Sequence, residues 1–163
     1  MKLTGASEFG CLALLAIAEA YPDFCKRQEI SERYHISPAY LEQILRRLTV
    51  SGIITSKRGR DGGFALAREP RDVLIAEIVR AMEGPLAPVT SVSENFYSPS
   101  PVEASPAFHS LFRKVRDAVA LILESTTLED VVQDERNQKR KQSRSGTHRR
   151  ASGTRANGTR SRA

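Results

Sequence analysis

From Ser37 to Gly63 the chain reads as one amphipathic helix followed at once by a tight basic hairpin, and this pair restricts the fold more than any other stretch. Ser37 suits the helix N-cap, Pro38 the first helical position, where no backbone N–H is needed, and Gly52 the left-handed residue that ends the helix. Leu41, Ile44, Leu45 and Leu48 recur at the spacing that lines one core-facing stripe. At about 100° per residue, Ala39, Glu42, Gln43 and Arg46 fall on the opposite side, flanked by Arg47. Small, acceptor, amide and cationic groups on one exposed face suit base edges and phosphates in a DNA major groove. After Gly52, Ile53–Ser56 favours a strand, Lys57–Gly63 makes a charged glycine-rich tip, and Phe64 and Leu66 alternate as a return strand. This pattern predicts a wing.

A shorter helix is expected before it, from about Arg27 to Tyr34, with Ile30 and Tyr34 one turn apart and His35-Ile36-Ser37 as the connecting turn. The two helices form a helix-turn-helix, whose second member enters the major groove. Met1-Lys2-Leu3, the run Ile36-Ser37-Pro38-Ala39-Tyr40-Leu41-Glu42-Gln43, and Arg58-Gly59 with Gly62-Gly63 together carry a resemblance over roughly residues 1–132. The chain resembles the small winged-helix regulators that include IscR, NsrR and CymR, the Rrf-two family. That resemblance implies a mainly α fold with a β-hairpin wing and a long dimerisation helix. It also implies double-stranded DNA as partner, through Lys26, Gln28, Ser37, Pro38, Ala39, Tyr40, Glu42, Gln43, Arg46, Arg47, Lys57, Arg58, Gly59 and Arg60. By the same resemblance Glu42 selects among DNA sites and Arg58 enters the minor groove.

Charge is divided along the chain. Residues 136–163 hold ten Lys or Arg and no Asp or Glu, whereas residues 1–135 hold fifteen basic against nineteen acidic residues, a net of −4. Within that acidic body, residues 26–71 carry ten basic and five acidic side chains, a local +5 over the expected DNA-reading unit. From Asp134 to Ala163 there is no Val, Ile, Leu, Met, Phe, Tyr or Cys, so this segment cannot add to a core and is expected to be a disordered basic tail. Such an arm can bind phosphates without regard to sequence, or serve only to solubilise.

The first helix should run from just after Thr4 to about Ala20, with Phe9, Leu12, Ala13, Ala16, Ile17 and Ala20 on the helical repeat and Leu14 and Leu15 widening the stripe. Its apolar run is too short for a membrane span and nothing before it resembles a signal peptide, so a cytoplasmic protein is expected. Cys11 reads as a small core hydrophobe, and Cys25 as a partner for Ile30 in a hydrophobic staple. Lys26 is a poor cap but a possible phosphate contact. A further helix is signalled over Asp72–Glu83 by Ile75, Ile78, Val79 and Met82, and Gly84-Pro85 stops it. Glu77, Arg80 and Glu83 lie on its polar side as ion partners. Residues 85–105 are rich in Pro and Ser and form a loop.

Ser105 and Pro106 start a long helix whose stripe, Phe108, Leu111, Phe112, Val115, Val119 and Ile122, extends to about Ser125. At about 1.5 Å per residue it spans on the order of 30 Å, more than a small DNA-binding core can cover, which argues for pairing with a second copy. Thr127 then caps a short docking segment over Leu128–Val132, with Asp130 in a capping-box position. The boundaries are therefore a DNA-binding domain over 1–84, a loop over 85–105, dimerisation and docking helices over 106–133, and the tail over 134–163.

Cluster-bearing relatives place three cysteines around the loop and the start of the long helix. This chain has no cysteine after Cys25, and Pro106 occupies a position where those relatives carry one. His109 resembles a histidine ligand, and Glu8 a carboxylate ligand, but their partners are missing, so neither cofactor nor metal is expected. No catalytic triad, phosphate-binding glycine loop or metal constellation suggests an enzyme. The expected function is a homodimeric, operator-binding transcription regulator, a repressor, without an iron-sulfur cluster. Two rivals remain: a regulator controlled by a partner enzyme or by an unknown small-molecule effector, and a general nucleic-acid coat acting through the tail.

Overall fold

The computed structural model describes residues 3–151. Helix α1 (Gly5–Ala20) is its centre, with Ala13, Leu14, Leu15, Ala16, Ile17 and Ala18 all buried, so that almost the whole circumference is covered. Full burial of a Leu or Ile side chain contributes about 1.5–3 kcal/mol, so Leu14, Leu15 and Ile17 make this helix a main source of cohesion. Thr4 caps it, its Oγ1 accepting from Ala6 N at 3.2 Å. Glu83 accepts from the Ser7 hydroxyl at 2.7 Å and from Thr4 N at 3.1 Å, which satisfies the buried Ser7 and clasps the end of α4 (Ile75–Glu83) to the start of α1. Hydroxyl bonds from Ser7 and Thr4 hold the Glu83 carboxyl below its usual range. A Cβ on Gly10 would sit 3.2 Å from Met82 Cγ, so the small residue lets α4 cross α1 closely.

Helices α2 (Arg27–Tyr34) and α3 (Pro38–Val50) coincide with the expected helix-turn-helix. Ile30, Ile36, Leu41, Ile44, Leu45 and Leu48 are buried in the same core as α1. His35 closes α2 in the left-handed region at φ 52°. Helix α3 ends in a Schellman arrangement, with Gly52 at φ 72°, Gly52 N donating to Thr49 O at 3.0 Å and Ile53 N to Leu48 O at 3.1 Å. At its other end Ser37 occupies the N-cap position but makes no side-chain capping bond, contrary to the cap expected of it. Its side chain is exposed to solvent.

The wing is an antiparallel hairpin of β1 (Ile54–Lys57) and β2 (Gly63–Leu66), in register from Ile54 opposite Leu66 to Lys57 opposite Gly63. A third backbone segment joins it. Cys25 N donates to Phe64 O and Phe64 N to Cys25 O, each at 2.9 Å, which ties the entry of α2 to the wing. The two glycines expected at the tip each face a close backbone: a Cβ on Gly62 would lie 2.2 Å from Lys57 O within the hairpin, and one on Gly63 would lie 2.5 Å from Cys25 O across this bridge.

The helix expected from Asp72 begins later. Pro70–Asp72 forms a 3-10 turn, Val73 and Leu74 are extended, and α4 starts at Ile75. The reason is a tertiary pairing: Leu128 N donates to Val73 O at 2.8 Å and Ile75 N to Thr126 O at 3.0 Å, so these residues serve a two-sided bridge rather than a helical turn. Residues 85–105 form the expected loop, containing 3-10 turns over Thr90–Val92 and Pro101–Ala104. Helix α5 (Pro106–Ser125) follows, with Ser105 Oγ accepting from Phe108 N.

Helix α6 (Leu128–Ala151) is the largest departure from expectation. Thr127 and Asp130 form the anticipated capping pair, at 2.9 Å from Thr127 N to Asp130 Oδ2 and 3.1 Å from Asp130 N to Thr127 Oγ1, and Leu128 and Val132 enter the core. The helix does not stop there, and the tail expected to be disordered from residue 134 is helical up to Ala151. Lack of apolar residues excludes a segment from the core, but Glu, Gln, Lys and Arg are good helix formers. Lys139 adds a pair with Glu135 one turn earlier at 3.1 Å and another with Glu19 of α1 at 3.3 Å. The expectation for residues 152–163 lies outside the described residues.

Because Gly63 is pressed against the Cys25 carbonyl, Gly63→Ala should destabilise the protein by about 1–3 kcal/mol. Urea unfolding of both proteins measures it, and an unchanged midpoint would mean that the bridge between wing and α2 opens without cost.

Candidate nucleic-acid interface

The face of α3 opposite its buried stripe is open to solvent, and Ala39, Glu42, Gln43, Arg46 and Arg47 all lie on it. Their local environments differ. Arg47 Nη1 donates to Met82 O at 3.1 Å, so this side chain is held against the last turn of α4, where carbonyls favour a cation. Tyr40 is turned to the other side and meets Phe9 of α1 edge to face, with ring centroids 5.7 Å apart at 88°. Gln43 and Arg46 make no polar contact within the described residues. Glu42 has one partner, Arg27 of α2, whose Nη1 lies 2.7 Å from Glu42 Oε2.

At the wing, Arg58, Gly59 and Arg60 are exposed at the tip, where Gly59 takes φ 108° and accepts from Gly62 N at 3.1 Å. Lys57 points back, its ammonium 5.8 Å from the centre of the Phe24 ring. On α2, Gln28 donates to Glu32 at 2.7 Å along the helix surface. Lys26 precedes the helix with its side chain exposed, and its backbone N–H is capped by Glu29 at 3.0 Å. Other cations are committed within the fold: Arg33 to Glu19 at 2.5 Å, Arg71 to Glu69 at 2.6 Å, and Arg68 to Glu77. Among the described residues Lys26, Arg46, Arg58 and Arg60 make no ion pair. These four flank one surface formed by α2, α3 and the wing.

Arg27 and Glu29 were not among the candidate residues read from the sequence. Glu29 had a local signal, since it stands three residues after the N-cap, where a carboxylate reaches back to the cap N–H. Arg27 had none, because its partner is fifteen positions away across a turn.

The cysteines do not assemble a site. Cys11 lies on α1 and Cys25 at the base of the wing, where its Sγ approaches Glu29 Oε2 at 3.6 Å. Burial and then the Glu29 charge push the Cys25 thiol up to about 11, and burial also raises Cys11. Both thiols are held protonated at neutral pH, so neither is a ready nucleophile. His109 of α5 has its Nε2 3.3 Å from Ser91 O, against the loop. Among the described residues no three His, Cys, Asp or Glu side chains come together as a metal site.

Away from the DNA-reading surface, no residue of α5 is buried. Phe108, Leu111, Val115 and Ile122 are between 42% and 63% exposed, a continuous apolar stripe without a cover in the single chain. Phe112 and Val119 are half-buried on the flank nearer the body, and Leu123 packs with Ala76, Val79 and Leu86. Leu121, 71% exposed, lies outside the stripe read from the sequence.

Comparison with known proteins agrees with this architecture. A family model described as Rrf2, iron-dependent transcriptional regulator, matches residues 3–134. The transcriptional regulator CymR of Bacillus subtilis is 31% identical over 132 residues, covering 80% of this chain and 89% of that protein. Among solved structures, that of CymR, the global cysteine regulator of B. subtilis, superposes with a TM-score of 0.70 at 30% identity, over 82% of this chain and 97% of the other. The structure of T. potens IscR gives 0.65 at 29% identity, over 83% and 88%.

Proposed function

Since this chain belongs to the Rrf2 family of DNA-binding transcription regulators, we propose that it acts as a homodimeric repressor on a palindromic operator and holds no iron-sulfur cluster of its own. It is a regulator rather than an enzyme, as its named relatives are. The observation that carries the dimer is the uncovered stripe of α5, an apolar surface about 20 Å long from Phe108 to Ile122 on a helix whose other flank already rests on the body. A second copy offers the same stripe by two-fold symmetry, which is the common way such faces are closed. Two copies present two recognition helices, and the operator then repeats its half-site one helical turn or a multiple apart. Occupying a promoter requires nothing beyond tight binding, so repression is the output proposed. No described helix is long and apolar enough to cross a membrane, and a cytoplasmic location follows from this reading.

Each unit divides its labour. Glu42, Gln43 and Arg46 read base edges, Arg58 enters the minor groove from the wing, and Lys26 and Arg60 meet phosphates. Basic residues after 135 add contacts that do not depend on sequence. The family is described as iron-dependent, but the donors here do not fit a thiolate-held cluster, because the chain has only two cysteines, on separate elements, and no three His, Cys, Asp or Glu side chains come together among the described residues.

Replacing Leu111 and Val115 by Glu should give monomers that lose most operator affinity, since buried unpaired charge opposes the interface. Sedimentation and operator titration together check this; a variant that remains dimeric and binds as the parent does would assign the stripe another purpose.

On the reading surface, Arg58→Ala should cost about 1–3 kcal/mol on the specific site. Glu42→Ala should instead relax the preference at one symmetric pair of positions, with little change in overall affinity. Titration against single-base operator variants separates the two, and equal weakening of every site by Glu42→Ala would refute base reading by that side chain.

Protein purified without oxygen should be colourless and free of stoichiometric iron. Iron analysis and the visible spectrum test this, and a reproducible cluster absorbance with bound sulfide would overturn it.

A further inference from the structure

Arg27 is the first helical residue of α2, and its guanidinium reaches across the helix-turn-helix to the recognition helix, where Nη1 donates to Glu42 Oε2 at 2.7 Å. The side chains are 48% and 69% exposed, so the pair adds little to folding. What matters is which carboxylate it holds. Glu42 is the one acidic residue in α3, and it sits on the face that approaches DNA. A carboxylate accepts hydrogen bonds and donates none. In the major groove the exocyclic amines of cytosine and adenine can satisfy it, whereas guanine N7 and O6 and thymine O4 cannot. Against those acceptors, and beside the phosphates, an unpaired carboxylate is repelled.

We infer that Arg27 is a specificity-determining residue, a positioning cation that neutralises Glu42 and so sets how strictly Glu42 discriminates between operators. The inference rests on the base-reading role proposed for Glu42. A carboxylate has two oxygens, so the Arg27 bond to Oε2 leaves Oε1 for a base amine. On an operator that presents an amine there, both bonds form. On one that presents acceptors alone, Arg27 still supplies a donor and a countercharge, and the penalty against that operator is reduced.

The rest of α2 supports this assignment. Its other arginine, Arg33, is paired with Glu19, which also meets Lys139 of α6, so Arg33 belongs to the packing of α1, α2 and α6. Glu29 and Glu32 of α2 are engaged by the Lys26 N–H and by Gln28. Arg27 and Glu42 have no ion partner but each other among the described residues. Arg27 thus contacts no base in this arrangement and acts through the residue that does.

The test uses the full chain and four operators that differ only in the base pair facing residue 42. The base nearest Glu42 is then cytosine or adenine, which presents an amine, or guanine or thymine, which presents acceptors. Arg27→Ala should widen the preference for amine-presenting operators by about fivefold, the most that an exposed ion pair contributes to a binding constant. Arg27→Lys, which keeps the charge, should restore most of the parent profile. In a Glu42→Ala background, Arg27→Ala should shift all four operators by one common factor. If Arg27→Ala alone weakens all four equally, and flattens the logarithmic salt dependence by about 0.9, then Arg27 is a phosphate contact and the inference is overturned. If Glu42→Ala leaves the base profile unaltered, the base-reading premise fails and takes the inference with it. A profile that changes with Glu42→Ala but shifts uniformly with Arg27→Ala keeps the premise and removes the inference alone.

Discussion

Burial of α1 on nearly all sides is the constraint from which the other positions follow. A helix with Ala13, Leu14, Ala16, Ile17 and Ala18 shielded from water needs neighbours on several faces, and it has them: α3 and the inner wing strand on one side, α4 and the start of α6 on others. The recognition helix is held from behind by this packing, through Leu41, Ile44, Leu45 and Leu48. Its outer face carries little structural duty beyond the Arg47 bond to Met82 O and the Arg27 pair with Glu42, and it is this face that carries Glu42, Gln43 and Arg46. A rigid back and an unencumbered front are the two conditions a base-reading helix has to meet at once.

The wing is fixed by a different force. Its strands are four residues long, too short for independent stability, and the hairpin borrows a third backbone segment from Cys25. That bridge joins the residue before Lys26 to the residue after Gly63, so the start of α2 and the wing are tied together through their backbones. Closeness of the backbones explains the glycine pair. Gly63 serves this approach and Gly62 the close passage of Lys57 O within the hairpin, while Gly59 takes the positive φ of the turn itself.

Much of this was legible in the sequence because it is local. The stripe of α3, its Gly52 terminator, the hairpin and the start of α5 at Ser105-Pro106 are each specified within a few residues. What escaped was tertiary or lay in residues with two readings. Asp72, Val73 and Leu74 have a helical pattern, but pairing with Thr126 and Leu128 holds Val73 and Leu74 extended and delays α4. Ser37 has the identity of a cap and the position of one, yet its hydroxyl makes no such bond. Composition misled most in α6, where absence of apolar residues was read as absence of structure. At the DNA-reading surface the residue types were legible, but not their partners: Tyr40 faces Phe9, Arg47 faces Met82, and Arg27 meets Glu42.

That last difference changes what the charge of this surface means. The sequence assigns residues 26–71 a local +5, a figure that treats every cation as available to phosphate. In the fold Arg27, Arg33, Arg68 and Arg71 are bound to carboxylates, and Arg47 to a helix end, which leaves Lys26, Arg46, Lys57, Arg58 and Arg60 without ion partners among the described residues. They are spread over the start of α2, α3 and the wing, so under the proposed function each of these elements carries its own anchor. A smaller set of unpaired cations weakens indiscriminate attraction, which scales with the number of phosphates neutralised, while hydrogen bonds to base edges are unaffected. Internal pairing of arginines is thus a means of raising the ratio of specific to nonspecific binding. Arg27 carries the same principle to a single base-reading side chain.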